Sequence, residues 1–244
     1  KSPADGHTLL MAASGPIVFN PALMSKLSYN PLTDLTPVAV VGSFPMIFAV
    51  HETASSKSFV DLVSASRANP DKFNYSYPSA SFQLVMELLK ARTGLKAMNV
   101  PYQGSAPSIN AVLTQEVQMT LIDSGPISAL LKSGKLRALA HWGEGRLSAM
   151  PEVPTVAEAG GKGYEGYESG SWYGIVAPAH TPRAIVERLN REIVSAVKSK
   201  DIQDRLNSES VIAIGNSPEA FAAHITAEFE RMRRVMREAK IVLE

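Results

Sequence analysis

The chain has 244 residues, is 45% hydrophobic and 19% charged, and carries a formal net charge of +1. That balance is ordinary for a globular protein and leaves no electrostatic footprint for nucleic acid. Cysteine is absent, which excludes disulfides, thiol nucleophiles and cysteine-ligated metal, and no run of about 18 apolar residues is present to read as a membrane-spanning helix.

The chain opens with "KSPADGHTLLMAA", which runs straight into a buried-strand pattern, as a processed or truncated start would. No signal peptide is visible in it. "TLLMAA" (8–13), "PVAVVG" (37–42) and "PMIFAV" (45–50) are short, apolar and bounded by Gly or Pro, and predict strands. Ser58 with Asp61 predicts a capping box opening the helix "SFVDLVSASRA". Strand "FNYSY", a turn with Pro78, Ser79 and Ser81, a helix over 82–92, strand "AMNVPY" and helix "APSINAVLTQE" follow. Then come strand "VQMTLID", helix "PISALLKSG" and strand "LRALAHW". This alternation predicts an α/β fold with a parallel sheet covered by helices.

From 143 to 171 the pattern loosens into a Gly-, Pro- and Ser-rich stretch. Strand "WYGIVAP" (172–178) restores the order. Thr181 and Pro182 predict an N-cap and N1 pair for a helix carrying Ile185, Leu189, Ile193 and Val197. Strand "VIAIG" (211–215) precedes a second such start at Ser217-Pro218, and the last helix carries Phe221, Ile225, Phe229, Met232 and Met236 on one face. Arg231, Arg233, Arg234 and Arg237 are interleaved with Glu228, Glu230 and Glu238, a solvated helix face.

Few residues suggest catalysis. The five histidines are scattered without an i, i+4 pair, and neither a nucleophile elbow nor a Walker A loop is present. Gly161, Gly163 and Gly166 match GxGxxG, but they follow a helix-like "TVAEAG" and precede a strand. A dinucleotide fingerprint needs the reverse context, so they predict a loop. Asp201 and Asp204 lie near a helix start, where capping accounts for them. What remains is a set of polar turns at strand ends: Ser14-Gly15, Tyr77 with Ser79 and Ser81, Tyr102-Gln103-Gly104, and Asp123-Ser124. Taken singly, each turn is explained by capping. Four such turns in one parallel sheet would converge on one edge, where α/β folds bind ligands.

The segments "PADGHTLLMA", "NYSYPSASFQLVMELLKARTG", "VPYQGSAPSINAVLTQEVQM", "MPEVPTVAEAG" and "WYGIVAPAHTPRAIVERLN" follow one another in order. Together they resemble the Bug or TctC-like solute-binding proteins of tripartite tricarboxylate transporters. The resemblance implies a two-lobed type II periplasmic-binding-protein fold, mostly parallel, with a ligand cleft between lobes. It implies a periplasmic, monomeric receptor for a small carboxylate, without cofactor, catalysis or nucleic acid, that delivers its ligand to membrane permease subunits. A ligand-sensing effector domain on the same fold is the alternative. Lobe 1 is expected at 1–53 and 166–244, and lobe 2 at 54–165. The expected ligand-binding residues are Ser14, Gly15, Tyr77, Ser79, Ala80, Ser81, Tyr102, Asp123 and Ser171. The chain departs from the family in a shorter loop at 76–81, without glycine, and in lacking roughly fifty residues that family members carry before "PADGHTLL".

Overall fold

A computed structural model describes residues 2–23, 26–143, 145–160 and 171–239. Strand β1 (Leu10–Ala13) runs into a π-helical turn (Gly15–Phe19) and the short helices α1 (Asn20–Leu23) and α2 (Pro31–Asp34). Strands β2 (Leu35–Phe44) and β3 (Met46–His51) precede helix α3 (Phe59–Ala68) and a 3₁₀ turn (Pro70–Lys72). Then come β4 (Asn74–Tyr77), α4 (Ala80–Thr93), β5 (Met98–Pro101), α5 (Ser105–Leu113), β6 (Met119–Asp123), α6 (Ser124–Lys132), β7 (Leu136–Trp142) and α7 (Val156–Gly160). The chain ends through β8 (Ser171–Pro178), α8 (Arg183–Val197), α9 (Lys200–Ser208), β9 (Ile212–Ala213) and α10 (Pro218–Ala239).

These elements form two compact units, Lys1–Ser43 with Ser171–Glu244, and Phe44–Gly170. The sequence suggests a first boundary at 53/54, whereas the chain passes between units at Ser43/Phe44. The reason is that Met46–His51 hydrogen-bonds to β6 and β7, inside the second unit.

In the first unit the strand order is β1-β8-β2-β9. Strand β1 lies antiparallel to β8, with Ala13 opposite Tyr173, and β9 antiparallel to β2. Helix α8 buries Val186 against Val38 and Ala177, with Leu189 and Ile193 packed beside them. Helix α10 lays Phe221 edge-on against Trp172, ring centroids 5.1 Å apart. The Trp172 Nε1–H donates to the buried Glu228 carboxylate at 2.5 Å. Arg231 pairs with the other carboxylate oxygen at 3.0 Å. Gly174 lets the two elements close: a Cβ there would stand 2.5 Å from Phe221 Cζ and 3.0 Å from the Ala39 carbonyl oxygen.

In the second unit the order is β5-β4-β6-β3-β7. Strands β5, β4, β6 and β7 run in one direction; β3 alone is reversed, antiparallel to its neighbours β6 and β7. The α/β expectation holds, and the sheets are mixed: antiparallel pairs flank β3 here and join β1 to β8 and β2 to β9 in the first unit. Pro45 alone separates β2 from β3, and the chain passes there from one sheet to the other. One face carries Ile47, Ile122, Ile109, Val112 and Ile127 as a core cluster closed by Leu147, Met150 and Val153. On the same face three buried hydroxyls tie α5 to the sheet. Ser76 Oγ donates to the Ser108 carbonyl at 2.9 Å, Ser108 Oγ lies 3.2 Å from Thr120 Oγ1, and that hydroxyl donates to the Ser76 carbonyl.

Two local expectations also change. Thr181 is not the cap of α8; its hydroxyl donates to the Pro178 carbonyl at 2.7 Å and Pro182 takes the N-cap position. The strand expected over 211–215 is reduced to Ile212–Ala213. Gly161, Gly163 and Gly166 lie outside the described residues.

Candidate functional site

Three strand-to-helix turns of the second unit stand in line. In the parallel ladder Tyr77 pairs with Pro101, and Ser76 with Thr120. Continued by a few residues, that register sets the N-caps of α4 (Ser79), α5 (Gly104) and α6 (Asp123) side by side. Met46 pairs with both Asp123 and Trp142, so the entry of β3 and the end of β7 share the edge.

The N-caps on this edge differ from the others in the unit. Helix α3 has a complete capping box: Ser58 Oγ accepts the Asp61 N–H at 3.1 Å and Asp61 accepts the Ser58 N–H at 3.0 Å. Helix α7 has the same device, with Thr155 Oγ1 accepting the Glu158 N–H at 3.0 Å and Glu158 accepting the Thr155 N–H at 2.9 Å. Ser79, Gly104 and Asp123 make no side-chain cap bond. Ser79 instead turns its hydroxyl to Ser81, Oγ to Oγ 2.9 Å. In α4 the N–H groups of Phe82 and Gln83 both reach the Ser79 carbonyl, at 3.1 and 3.2 Å. Those of Ala80 and Ser81 precede the first intrahelical acceptor and face outward with the positive end of the helix dipole.

At α5 the N-cap is Gly104 with φ +97°, and no atom lies within 4 Å of where a Cβ would stand. A left-handed glycine there lets the backbone approach a ligand closely. At α6 the Ser124 N–H is taken by the Pro45 carbonyl at 2.9 Å. The Asp123 side chain is buried at the same end of β6. The turns Tyr77–Ser81, Tyr102–Gly104 and Asp123-Ser124 contain no Lys or Arg. What they present is neutral donors and helix N-termini, with the Asp123 carboxyl beside them.

The sequence-predicted residues divide between the two units. Tyr77, Ser79, Ala80, Ser81, Tyr102 and Asp123 belong to the edge just described. Ser14, Gly15 and Ser171 belong to the first unit, so the expectation that all four turns follow strands of one parallel sheet is corrected. There the β1/β8 register brings Ser14, after Ala13, to the start of β8, where Ser43 Oγ donates to the Ser171 carbonyl at 3.4 Å. Ser14 is helical, at φ −55° and ψ −33°, and buried with Gly15.

Two side chains are turned otherwise than the sequence suggests. The Tyr102 ring packs on the Ile47/Val112 cluster. Its hydroxyl pKa is held above the ordinary value by burial and by the Glu116 carboxylate. Its contribution to the edge is backbone, and within the same turn Gly104, named with it in the sequence but not among the expected ligand-binding residues, is the N-cap of α5. The available signal was a glycine directly before a helix that lacks any Ser, Thr, Asp or Asn at its cap. Ser81, read as part of the turn, lies inside the first turn of α4 and is buried. Away from this edge, a cavity of about 470 Å³ opens in the first unit at the far end of β1, among Leu9, Leu10, Tyr29, Asp34, Val176 and His180. Its lining is largely apolar and includes none of the expected ligand-binding residues.

Residues 1–241 match the family model for the tripartite tricarboxylate transporter family receptor. Protein BugT of Bordetella pertussis is 31% identical over 241 residues, spanning 98% of this chain and 73% of that protein. Among solved structures, Rpa4515 of R. palustris with adipate superposes with a TM-score of 0.91 at 32% identity, covering 99% of this chain and 81% of that one. MatC from Rhodopseudomonas palustris with bound malate superposes with a TM-score of 0.86 at 26% identity, covering 96% and 80%.

Proposed function

Because the chain belongs to the tripartite tricarboxylate transporter receptor family, we propose that it is a periplasmic solute-binding receptor that captures a small di- or tricarboxylate, acidic amino acid or aromatic acid. The observation that carries this reading is the contrast among helix starts in the second unit. The two helices away from the β5-β4-β6 edge are capped by side chains, and the three on it are not. Backbone N–H groups at helix N-termini are ready-made anion donors. In this reading one ligand carboxylate rests on the N–H groups of Ala80 and Ser81 and on the Ser79–Ser81 hydroxyl pair. Gly104 opens the neighbouring turn to close approach, and Asp123 closes the third side. Adipate and malate, named for the two structural relatives, set the size and charge class.

The donors invoked here are neutral. Each contributes about 1 kcal/mol net, or roughly twice that to an ionised acceptor. Four or five together support binding near −8 kcal/mol, on the order of micromolar. The bound carboxylate would pass to permease subunits in the membrane, and the residues named are assigned binding, not turnover. A thermal-shift series with adipate, malate, citrate, glutamate and benzoate tests the reading. Binding confined to the folded state raises the melting temperature, by the equivalent of about 2.7 kcal/mol at a hundredfold excess over Kd. A flat response across the whole series would refute it.

A further inference from the structure

His141 is a buried histidine for which the binding reading has no use. It sits in β7 opposite Ile47, fully inside the second unit. Neither Nδ1 nor Nε2 has a hydrogen-bond partner among the described residues. Buried polar atoms of this kind are rare in folded proteins and are kept for a reason or removed. The cover over the ring is the return segment 145–160. Its Leu147, Met150 and Val153 join the Ile47 cluster. Its Pro154 carbonyl accepts the His141 backbone N–H at 2.9 Å, and Thr155 forms a parallel bridge to His141.

The charged groups bearing on the ring are Glu158 from α7 and Arg146 from the covering segment. The residues opposite it on β3, Met46 to Phe48, are apolar. Glu158 and Arg146 are engaged with each other at 2.7 Å, and the same Glu158 oxygen accepts the Thr155 N–H that caps α7. Burial holds the ring below its ordinary pKa of 6.5, outweighing the pull of Glu158. The Glu158 carboxyl is held low by the Thr155 N–H and then by Arg146, so it stays ionised while the ring begins to titrate.

We propose that His141 is an acid latch on the second unit: proton uptake by its ring unseats segment 145–160. A charged imidazolium needs acceptors for two N–H groups; the seated segment brings the Gly145 backbone to bear on one, and for the other it has only Glu158, already held by Arg146 and by the α7 cap. Once the segment lifts, the ring meets water and titrates normally. The group is a base whose folded pKa is depressed, so the segment's stability is complete above about pH 6.5 and falls as the pH drops below it. A ring that stays neutral when seated and has its ordinary pKa when open raises the opening constant about tenfold per pH unit below 6.5. Between about pH 7.5 and about pH 5 that amounts to roughly thirtyfold.

Hydrogen exchange of the whole chain at these two pH values, corrected for intrinsic amide chemistry, reads the effect directly. Amides of 145–160 should lose protection by roughly thirtyfold at the lower pH, while those of α5 and β6 keep theirs. His141→Phe, which retains a buried ring without the titration, should make the segment insensitive to pH. His141→Gln serves the same purpose should the larger ring disturb packing. The latch is refuted by wild-type protection that does not vary with pH, by α5 opening in parallel with the segment, or by an undiminished drop in the non-titrating variant.

Discussion

Ala80→Pro separates capture from folding at the α4 cradle. The substituted position is N1 of the helix, where proline's fixed φ is already that of the helix and its missing N–H breaks no intrahelical bond. The preceding residue must be extended, and Ser79 is, at φ −163° and ψ 165°. Ala80 is exposed, so the ring meets solvent. Stability should therefore hold or rise by about 0.4–1 kcal/mol through the unfolded chain's lost freedom. Binding should suffer, because one of the two outward N–H groups at the start of α4 is gone. A hydrogen bond to an ionised acceptor is worth about 2 kcal/mol, which predicts roughly thirtyfold weaker binding. Calorimetry with malate and adipate, run beside thermal melting, measures both quantities on the same protein. Affinity within twofold of wild type at an unchanged melting temperature would remove the α4 N-terminus from the site.

Three further outcomes follow from named contacts. Ser58→Ala should cost about 1 kcal/mol of stability and leave ligand affinity alone, whereas Ser79→Ala, which removes no cap, should weaken binding by roughly tenfold at unchanged stability; urea melts and calorimetry compare them, and equal melts with equal affinities would undo the contrast. Gly174→Ala should destabilise by about 1–3 kcal/mol, because the Ala39 carbonyl cannot yield as a side chain can; Phe221→Leu in the same chain should recover part of it, and a neutral single variant would contradict the packing described. Glu228→Leu strands the Trp172 N–H and Arg231 and should cost about 3 kcal/mol, against about 1–2 kcal/mol for Glu228→Gln, which still accepts from Trp172; denaturant unfolding that finds the two equal would show that the acceptor is irrelevant.

How much of this was legible in the sequence depends on whether a feature is local. Ser58 and Asp61 are three residues apart, and the capping box they predict is present. The strands around 37–42, 45–50 and 136–142 were readable as short apolar runs, because burial on both faces leaves that mark. Strand partners were not. "PVAVVG" and "PMIFAV" look like successive strands of one sheet, yet they extend into β2 of one sheet and β3 of another, with Pro45 alone between them. The four polar turns read alike in sequence, and only pairing shows that Ser14 belongs to a different sheet from Ser79. Trp172 and Glu228 lie 56 residues apart, beyond any periodicity. In Tyr102-Gln103-Gly104 the sequence displays the Tyr102 side chain, whereas the left-handed backbone of Gly104 appears only in the structure.

Capping residue types at strand-to-helix turns are explained first as helix stabilisers, and this chain shows where that explanation stops. Ser58, Thr155 and Ser217 each accept a backbone N–H from the helix they precede. Ser79 and Asp123 occupy the same position on α4 and α6 and do not; Ser199 ahead of α9 does not either, but its hydroxyl donates instead to the Ala196 carbonyl at 2.6 Å. Each forgone cap costs about 1 kcal/mol of helix stability, and stability given up at a site is a common consequence of function. A ligand carboxylate accepting those N–H groups would restore what the side chains withhold. The loss in the empty protein and the gain in the bound one are then the same hydrogen bonds, counted in two states.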